Sequence, residues 1–188
     1  MLPQPLLEAL AFYLQQLETN PLKTKCITCC FLATTGNMLS QYLSGKRSID
    51  KDSLIAYGLF GFLFGGPIPH WFFLLLENVV PRGSSNVHLK RILMERLLFM
   101  PAFQALGLYM LTIFEGKSHK EAQRNVKRMF VSVVKANWLY LTVPQLLNII
   151  YVPPMLKSVA NSLIAFCWIV YLAKKRSQAQ EQARSKQS

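Results

Sequence analysis

Residues 53–76, SLIAYGLFGFLFGGPIPHWFFLLL, form an uncharged run between Asp52 and Glu77. As a helix that rises about 1.5 Å per residue, this run would extend about 36 Å, which is enough to cross a hydrocarbon core of about 30 Å with some tilt. The run therefore predicts a membrane-embedded helix against which the other segments of the chain pack.

The same run contains residues that a simple membrane anchor does not need. Small side chains let two helix backbones approach closely, and Gly61 and Gly65 have the small-x-x-x-small spacing of helix contacts. A proline inside a helix predicts a bend because it cannot donate a backbone hydrogen bond. The expected packing residues are Gly58, Gly61, Gly65 and Gly66, and the expected bends lie at Pro67, Pro69, Pro101 and Pro144.

Composition agrees with a membrane protein of one domain. The chain has 188 residues, of which 52% are hydrophobic and only 16% charged. Its formal net charge is +12, but the cations lie in short loops and tails and are not interleaved with aromatic residues as in nucleic-acid-binding motifs. We interpret them as basic flanks of membrane spans, so the expected partner is the lipid bilayer and not nucleic acid.

Three further uncharged segments give an expected total of four spans. We predict an all-α integral membrane helical bundle over residues 1–174, with spans at about 26–45, 53–76, 97–114 and 155–173. Amphipathic helices are expected over residues 3–19, ending at Asn20-Pro21, and before the last span, where Ser118 and Glu121 match a capping box. Residues 175–188 are polar and expected to be disordered.

Neutral polar side chains recur inside the expected spans, where they are unfavourable against lipid. Thr34, Asn37 and Gln41 lie at i, i+3 and i+7, and hence on one helix face. These side chains either form hydrogen bonds between helices or line a path for solutes. The candidate pore-lining residues are Thr34, Asn37, Gln41, His70, Gln104, Gln145, Asn148 and Asn161.

Charged residues are expected near the span ends. We interpret Glu77, Glu95 and Glu115 as interface-exposed, and residues 174–176, Lys-Lys-Arg, as the anchor of the last span. Without a carboxylate deep in a span, the pattern favours passive passage over ion-coupled transport.

The sequence does not favour catalysis. Cys26 and Cys29 have C-x-x-C spacing, but no histidine or acid is close in sequence, so we interpret them as small apolar residues. His88 and His119 lie in expected loops, and no H-x-x-x-H, nucleophile elbow or phosphate-binding loop is found. We expect no enzyme activity, no cofactor and no metal site.

Short motifs spread over most of the chain resemble a known family. They are Gly36-Asn37 with Gln41, Tyr57-Gly58, Gly66-Pro67 with His70, Arg96 with Pro101-Ala102-Phe103, Glu115-Gly116-Lys117, Asn137-Trp138, Pro144-Gln145 with Asn148, Tyr151-Val152-Pro153, Asn161, and Trp168 with Tyr171-Leu172. In this order they resemble the family of peroxisomal membrane protein 2 and its relatives in the mitochondrial inner membrane. Gly36-Asn37, Pro101-Ala102-Phe103 and Phe114 to Lys117 are similar to the peroxisomal member.

The resemblance implies a four-span protein that forms a water-filled, poorly selective pore for small hydrophilic metabolites in the peroxisomal membrane. It also implies delivery by the peroxisomal import receptor for membrane proteins. A channel of the mitochondrial inner membrane and a structural or adaptor membrane protein without conductance are the alternatives. Assembly into a homo-oligomer is left open.

Overall fold

The computed structural model describes residues 3–45, 48–81, 83, 85–152 and 157–185, and all regular structure within them is helical. The all-α prediction is confirmed for this part of the chain. The α-helices are α1 (Gln4–Thr19), α2 (Pro21–Leu43), α3 (Lys51–Phe60), α4 (Pro67–Val79), α5 (Val87–Met94), α6 (Met100–Phe114), α7 (His119–Tyr151) and α8 (Lys157–Ser185). Two π-helical turns, Gly61–Gly65 and Glu95–Phe99, join α3 to α4 and α5 to α6.

Two continuous helical stretches among these residues are long and apolar enough to cross a membrane. They are Lys51–Val79, which contains the run 53–76, and Leu89–Phe114. Only 17% and 33% of their most apolar windows are buried by the rest of the chain, whereas a core helix of a soluble protein would be mostly buried. The other two expected spans fall on α2 and α8, apart from residues 155–156, which lie outside the described residues.

Each apolar stretch changes from α to π immediately before a proline. In the first, the Gly66 N–H donates to the Gly61 carbonyl, five residues earlier, at 3.0 Å, and Pro67 then opens α4. A proline ring crowds the carbonyl four residues before it, and a π-helical turn shifts that carbonyl while the helix continues. The turn Glu95–Phe99 precedes Pro101 in the same way.

The other two prolines also lie within continuous helix. Pro69 lies in the first turn of α4, two residues after Pro67 and directly after the π-helical turn. Pro144 lies inside α7, which continues to Tyr151. The bend angles at all four prolines remain predictions.

Close packing between α2 and the α3–α4 stretch depends on glycine. A Cβ atom at Gly61 would lie 2.4 Å from the Cys29 carbonyl oxygen, and one at Gly66 would lie 2.7 Å from the Cys26 Cα. Real Cβ contacts of this length do not occur, so any larger residue would push the two helices apart. The two cysteines serve here as small packing residues.

The core has two apolar clusters and an aromatic stack. One cluster joins α6, α7 and α8 through Leu108, Met129, Val133, Ala136, Leu141, Trp168 and Leu172. The other joins α2, α3, α6 and α8 through Ala33, Ala56, Tyr57, Leu111 and Ala173. The rings of Phe72, Phe99 and Phe103 stack in series, with centroids 4.1 and 5.4 Å apart, and fix α4 against α6.

The predicted capping box is confirmed at the start of α7. Ser118 accepts a hydrogen bond from the Glu121 backbone, and the Glu121 carboxylate accepts one from the Ser118 backbone. The basic amphipathic segment and the apolar segment that follows it form one helix of 33 residues.

Residues 175–185, which belong to the segment expected to be disordered, are helical in the structure. α8 continues through Ser185, and only residues 186–188 of the tail lie outside the described residues. The extension is held in place because Gln180 donates to Glu115 at the end of α6, 3.0 Å away. A Ser177–Glu181 hydrogen bond one turn apart adds local support.

Candidate functional site

A polar cavity lies where the ends of α2, α3, α6 and α8 meet. We call it the polar cavity and define it by its lining residues, which are Asn37, Ser40, Gln41, Asp50, Ser53, Tyr57, Glu115, Ala173, Arg176, Ser177 and Gln180. Most of these side chains are neutral hydrogen-bonding groups, and they come from four separate elements. The cavity is therefore a product of tertiary packing.

The α2 side of the polar cavity is built by two buried amides. The Gln41 amide donates to the Asn37 side-chain oxygen at 2.7 Å, and the Asn37 amide donates to the Ser53 hydroxyl at 3.1 Å. Gln41 also accepts from the Asp50 N–H at 2.7 Å and donates to the Asp50 carbonyl at 3.1 Å. Since Asp50 caps α3, these amides fix the start of the first apolar stretch.

The α8 side contains a buried ion pair that corrects two expectations. The side chain of Glu115, expected at an exposed interface, is only 7% exposed, and that of Arg176, expected as a membrane anchor, is 4% exposed. The Arg176 guanidinium donates to Glu115 at 2.9 Å and to the Thr112 hydroxyl at 3.3 Å. Lys117 binds the other Glu115 oxygen at 2.8 Å. The Glu115 carboxylate is thus paired within the protein by two cations.

Arg176 stays charged in this environment. Burial by itself lowers the pKa of its guanidinium, but the adjacent Tyr57 and Glu115 raise the pKa above the usual arginine value. The Tyr57 ring centroid lies 5.6 Å from the guanidinium carbon, within the range of a cation–π contact. A buried arginine that makes these contacts holds α8 against both α3 and α6.

Tyr57 also provides a hydrogen-bonding group that no protein atom satisfies. The residue is 3% exposed, and within the described part of the chain its phenol oxygen has no hydrogen-bond partner. Because a buried hydroxyl without a partner is unfavourable, the group is suited to a water or solute in the polar cavity.

Two of the eight candidate pore-lining residues, Asn37 and Gln41, meet in the polar cavity. Thr34 bonds the Cys30 carbonyl of its own helix at 2.9 Å. The His70 imidazole contacts the Lys25 ammonium at 3.2 Å, and Gln104 is buried on α6. Gln145 lies at a different cavity, Asn161 is exposed, and the side chain of Asn148 lies outside the described residues.

The four glycines expected to pack against another helix all face α2. Besides Gly61 and Gly66, a Cβ at Gly58 would lie 2.8 Å from the Thr34 hydroxyl. Gly65 differs, because its Cβ would lie 3.5 Å from that of Cys29, an ordinary contact.

Sequence reasoning missed the residues that carry charge in the interior. Glu95, expected at an interface, is 8% exposed in a π-helical turn, so a carboxylate is buried inside an apolar stretch. Arg176 was hidden in a run of basic residues that has the pattern of an anchor. The sequence did contain one indication, since Arg176 and Gln180 are spaced one helical turn apart and therefore lie on the same helix face. In the structure both side chains bind Glu115.

Comparison with known proteins gives consistent matches. The model of the Mpv17 / PMP22 family matches residues 112–173. Peroxisomal membrane protein 2 of Bos taurus is 33% identical over 88% of this chain and 88% of its own length. The peroxisomal membrane protein PMP22 of Arabidopsis thaliana is 28% identical over 85% of each chain. The mitochondrial inner membrane protein Mpv17 of Caenorhabditis elegans is 26% identical over 86% and 90%. No solved structure matches.

Proposed function

Because this chain belongs to the Mpv17 / PMP22 family of membrane proteins, we propose that it is a multi-pass peroxisomal membrane protein through which small hydrophilic metabolites pass passively. The peroxisomal location is supported by the 33% identity to peroxisomal membrane protein 2 of Bos taurus. The mitochondrial inner membrane is the alternative, since relatives of that location match as well.

The proposal of solute passage rests on one observation, the chemical character of the side chains that line the polar cavity. Its amides and hydroxyls can exchange hydrogen bonds with many solutes, and passage requires such binding to be weak. The buried charges on its wall are paired in advance, because Glu115 is bonded by Arg176 and Lys117. The other acid of the lining, Asp50, is exposed and caps α3. Among the described lining residues, a solute would therefore meet hydrogen-bonding groups and no unpaired buried charge that could trap it.

Passive passage also fits the placement of the one acid buried in the second apolar stretch. Glu95 is separated from the polar cavity and lines a different surface of the bundle. The acids that line the polar cavity are Asp50, which caps α3, and Glu115, which is bonded by Arg176 and Lys117. Neither is an unpaired carboxylate deep in a span, as coupled transport would require. We accordingly propose no ion coupling and no catalytic role for the polar cavity.

Liposomes that contain the purified protein test this function. Iso-osmotic transfer into a solution of a small neutral solute such as glycerol should cause rapid swelling, while protein-free liposomes respond slowly. Equal rates in the two preparations would contradict solute passage. Imaging of the full-length protein beside peroxisomal and mitochondrial markers tests the location separately.

A structural or adaptor role is the second candidate, and a specific observation favours it. The side chains of Asn37 and Gln41 are hydrogen-bonded to Ser53 of α3 and to its capping residue Asp50. Residues that only join two helices would make such bonds. Solute flux through correctly inserted variants of these two residues distinguishes the two functions.

We also propose two kinds of partner, an import receptor and further copies of this chain. Insertion would use the peroxisomal import receptor for membrane proteins, and the protein would be stable either alone or as a homo-oligomer. Cross-linking in native membranes measures the oligomeric state, and loss of the receptor should leave the protein outside peroxisomes.

A further inference from the structure

A second cavity lies on the flank of the bundle, between the α5–α6 stretch and the C-terminal third of α7. We call it the flank cavity; its lining residues are Ile92, Glu95, Arg96, Thr142, Gln145 and Leu146. It combines a carboxylate, a guanidinium, an amide and a hydroxyl with two aliphatic side chains. None of these residues lines the polar cavity, so the two sites are separate.

The two charged residues of the flank cavity are buried but differ in their partners. Arg96 is 7% exposed, and its guanidinium donates to the Asn137 side-chain oxygen at 3.1 Å and to the Leu141 carbonyl at 3.4 Å. Trp138 donates to the Arg96 carbonyl at 3.1 Å. These contacts with α7 hold the guanidinium in place and leave some of its five N–H groups for another acceptor.

Glu95 has no such support. It is 8% exposed, and in the part of the chain that the structure describes only the charge of the neighbouring Arg96 acts on its carboxylate, without a direct hydrogen bond or an ion pair within 4.0 Å. Burying a carboxylate without direct partners is unfavourable. Ionisable groups in apolar stretches are rare, and they commonly mark a binding site.

The surroundings of the flank cavity are those of a lipid-facing surface. Exposed apolar side chains flank it on both helices: Leu93, Leu97, Val143 and Leu147. Glu95 is the seventh residue of the Leu89–Phe114 stretch, which places it about 9 Å along the helix axis from Leu89. This depth corresponds to the boundary between headgroups and acyl chains.

We propose that the flank cavity binds a zwitterionic phospholipid with an ammonium headgroup, of the phosphatidylethanolamine type. Glu95 accepts hydrogen bonds from the ammonium, and Arg96 and Gln145 donate to the phosphate. The acyl chains lie along the exposed leucines. An ethanolamine headgroup fits better than choline, because the choline nitrogen has no N–H to donate to Glu95.

Native mass spectrometry of the full-length protein tests the site. The protein is purified in detergent with equimolar phosphatidylethanolamine and phosphatidylcholine. The wild-type protein should retain more phosphatidylethanolamine than phosphatidylcholine. Glu95→Gln, which has the same shape, should lower that retention about tenfold and lower phosphatidylcholine retention much less, because the amide oxygen still accepts a hydrogen bond but lacks the negative charge that strengthens the bond from the ammonium N–H. Gln145→Leu should lower retention of both lipids.

The matched control is Glu77→Gln, which changes a half-exposed carboxylate at the end of the other apolar stretch. It should retain both lipids as the wild type does. Circular dichroism checks that each variant is folded. If Glu95→Gln does not fold, unchanged retention of both lipids by Gln145→Leu would overturn the site. Equal retention of the two lipids by the wild type, or an unchanged preference in Glu95→Gln, would overturn the proposal.

Free O-phosphoethanolamine distinguishes a lipid from a soluble ligand with the same chemistry. If the flank cavity is a lipid site, millimolar O-phosphoethanolamine should not displace phosphatidylethanolamine, because it lacks acyl chains. Complete displacement would assign the flank cavity to a soluble zwitterion and overturn the lipid proposal.

Discussion

The Arg176 guanidinium donates a hydrogen bond to the Glu115 carboxylate at 2.9 Å and so fastens α8 to the end of α6. Both side chains are almost fully buried. The pair forms one wall of the polar cavity, and the segment of α8 beyond the last expected span stays helical beside it. Removing one partner should leave the other as an uncompensated buried charge.

Arg176→Gln should therefore destabilise the protein by about 3 kcal/mol or more, the cost of breaking a buried ion pair from one side. The exposed neighbour Lys174 provides the control, and Lys174→Gln should have little effect. The measurement is thermal unfolding in detergent, followed by helical circular dichroism. Equal unfolding temperatures for the two variants would show that the pair does not hold α8.

The glycines of the first apolar stretch should differ in their tolerance of alanine. Gly61→Ala should destabilise by about 1–3 kcal/mol, because its Cβ would meet the Cys29 backbone at 2.4 Å. Gly65→Ala should be tolerated, since its Cβ would make an ordinary contact at 3.5 Å. Thermal unfolding of the two variants compares them directly. A similar loss in both would mean that the spacing of the glycine pair, and not the contact at Gly61, is what matters.

Gln41→Leu should cost stability, because the Asp50 N–H would lose its partner, while the Asp50 carbonyl would keep only the Leu54 N–H, 3.2 Å away. An unsatisfied buried group costs about 1–3 kcal/mol, and the partly buried setting of these two bonds places the expected loss near the lower end of that range. Thr35→Val is a control on the same helix, since Thr35 bonds only the backbone of α2. If Gln41→Leu unfolds at the wild-type temperature, these bonds do not fix the start of α3.

Tyr57→Phe should not lower stability, because the phenol oxygen has no protein partner to lose. Tyr109→Phe is the comparison, as it would remove a 2.7 Å contact with His119. Unfolding temperatures of both variants give the test. A loss of more than about 1 kcal/mol in Tyr57→Phe would show that the hydroxyl has a partner, which would be either Arg176 or a tightly held water or solute.

Much of the fold could be predicted from the sequence because local signals decide it. The run 53–76 marks an apolar helix by length and composition, and Ser118 and Glu121 mark a helix start by a capping pattern. The close approach at Gly61 also follows from small residues at helical spacing. These features depend on neighbours within one or two turns.

The remaining features depend on the rotation and position of whole helices, which the sequence alone does not determine. Gln145 and Asn161 have the same polar character as Asn37, yet they lie at other surfaces because α7 and α8 turn them away from the polar cavity. Arg176 has the pattern of an anchor, but α8 packs so that it meets an acid from α6. The lack of local partners for Glu95 likewise depends on where α7 lies.

The central claim is passive solute passage, and planar bilayers test it most directly. Pure full-length protein with confirmed insertion should give channel currents, and inserted Gln41→Leu should give currents of altered amplitude because an amide of the polar cavity is lost. No current from correctly inserted wild-type protein would contradict the account.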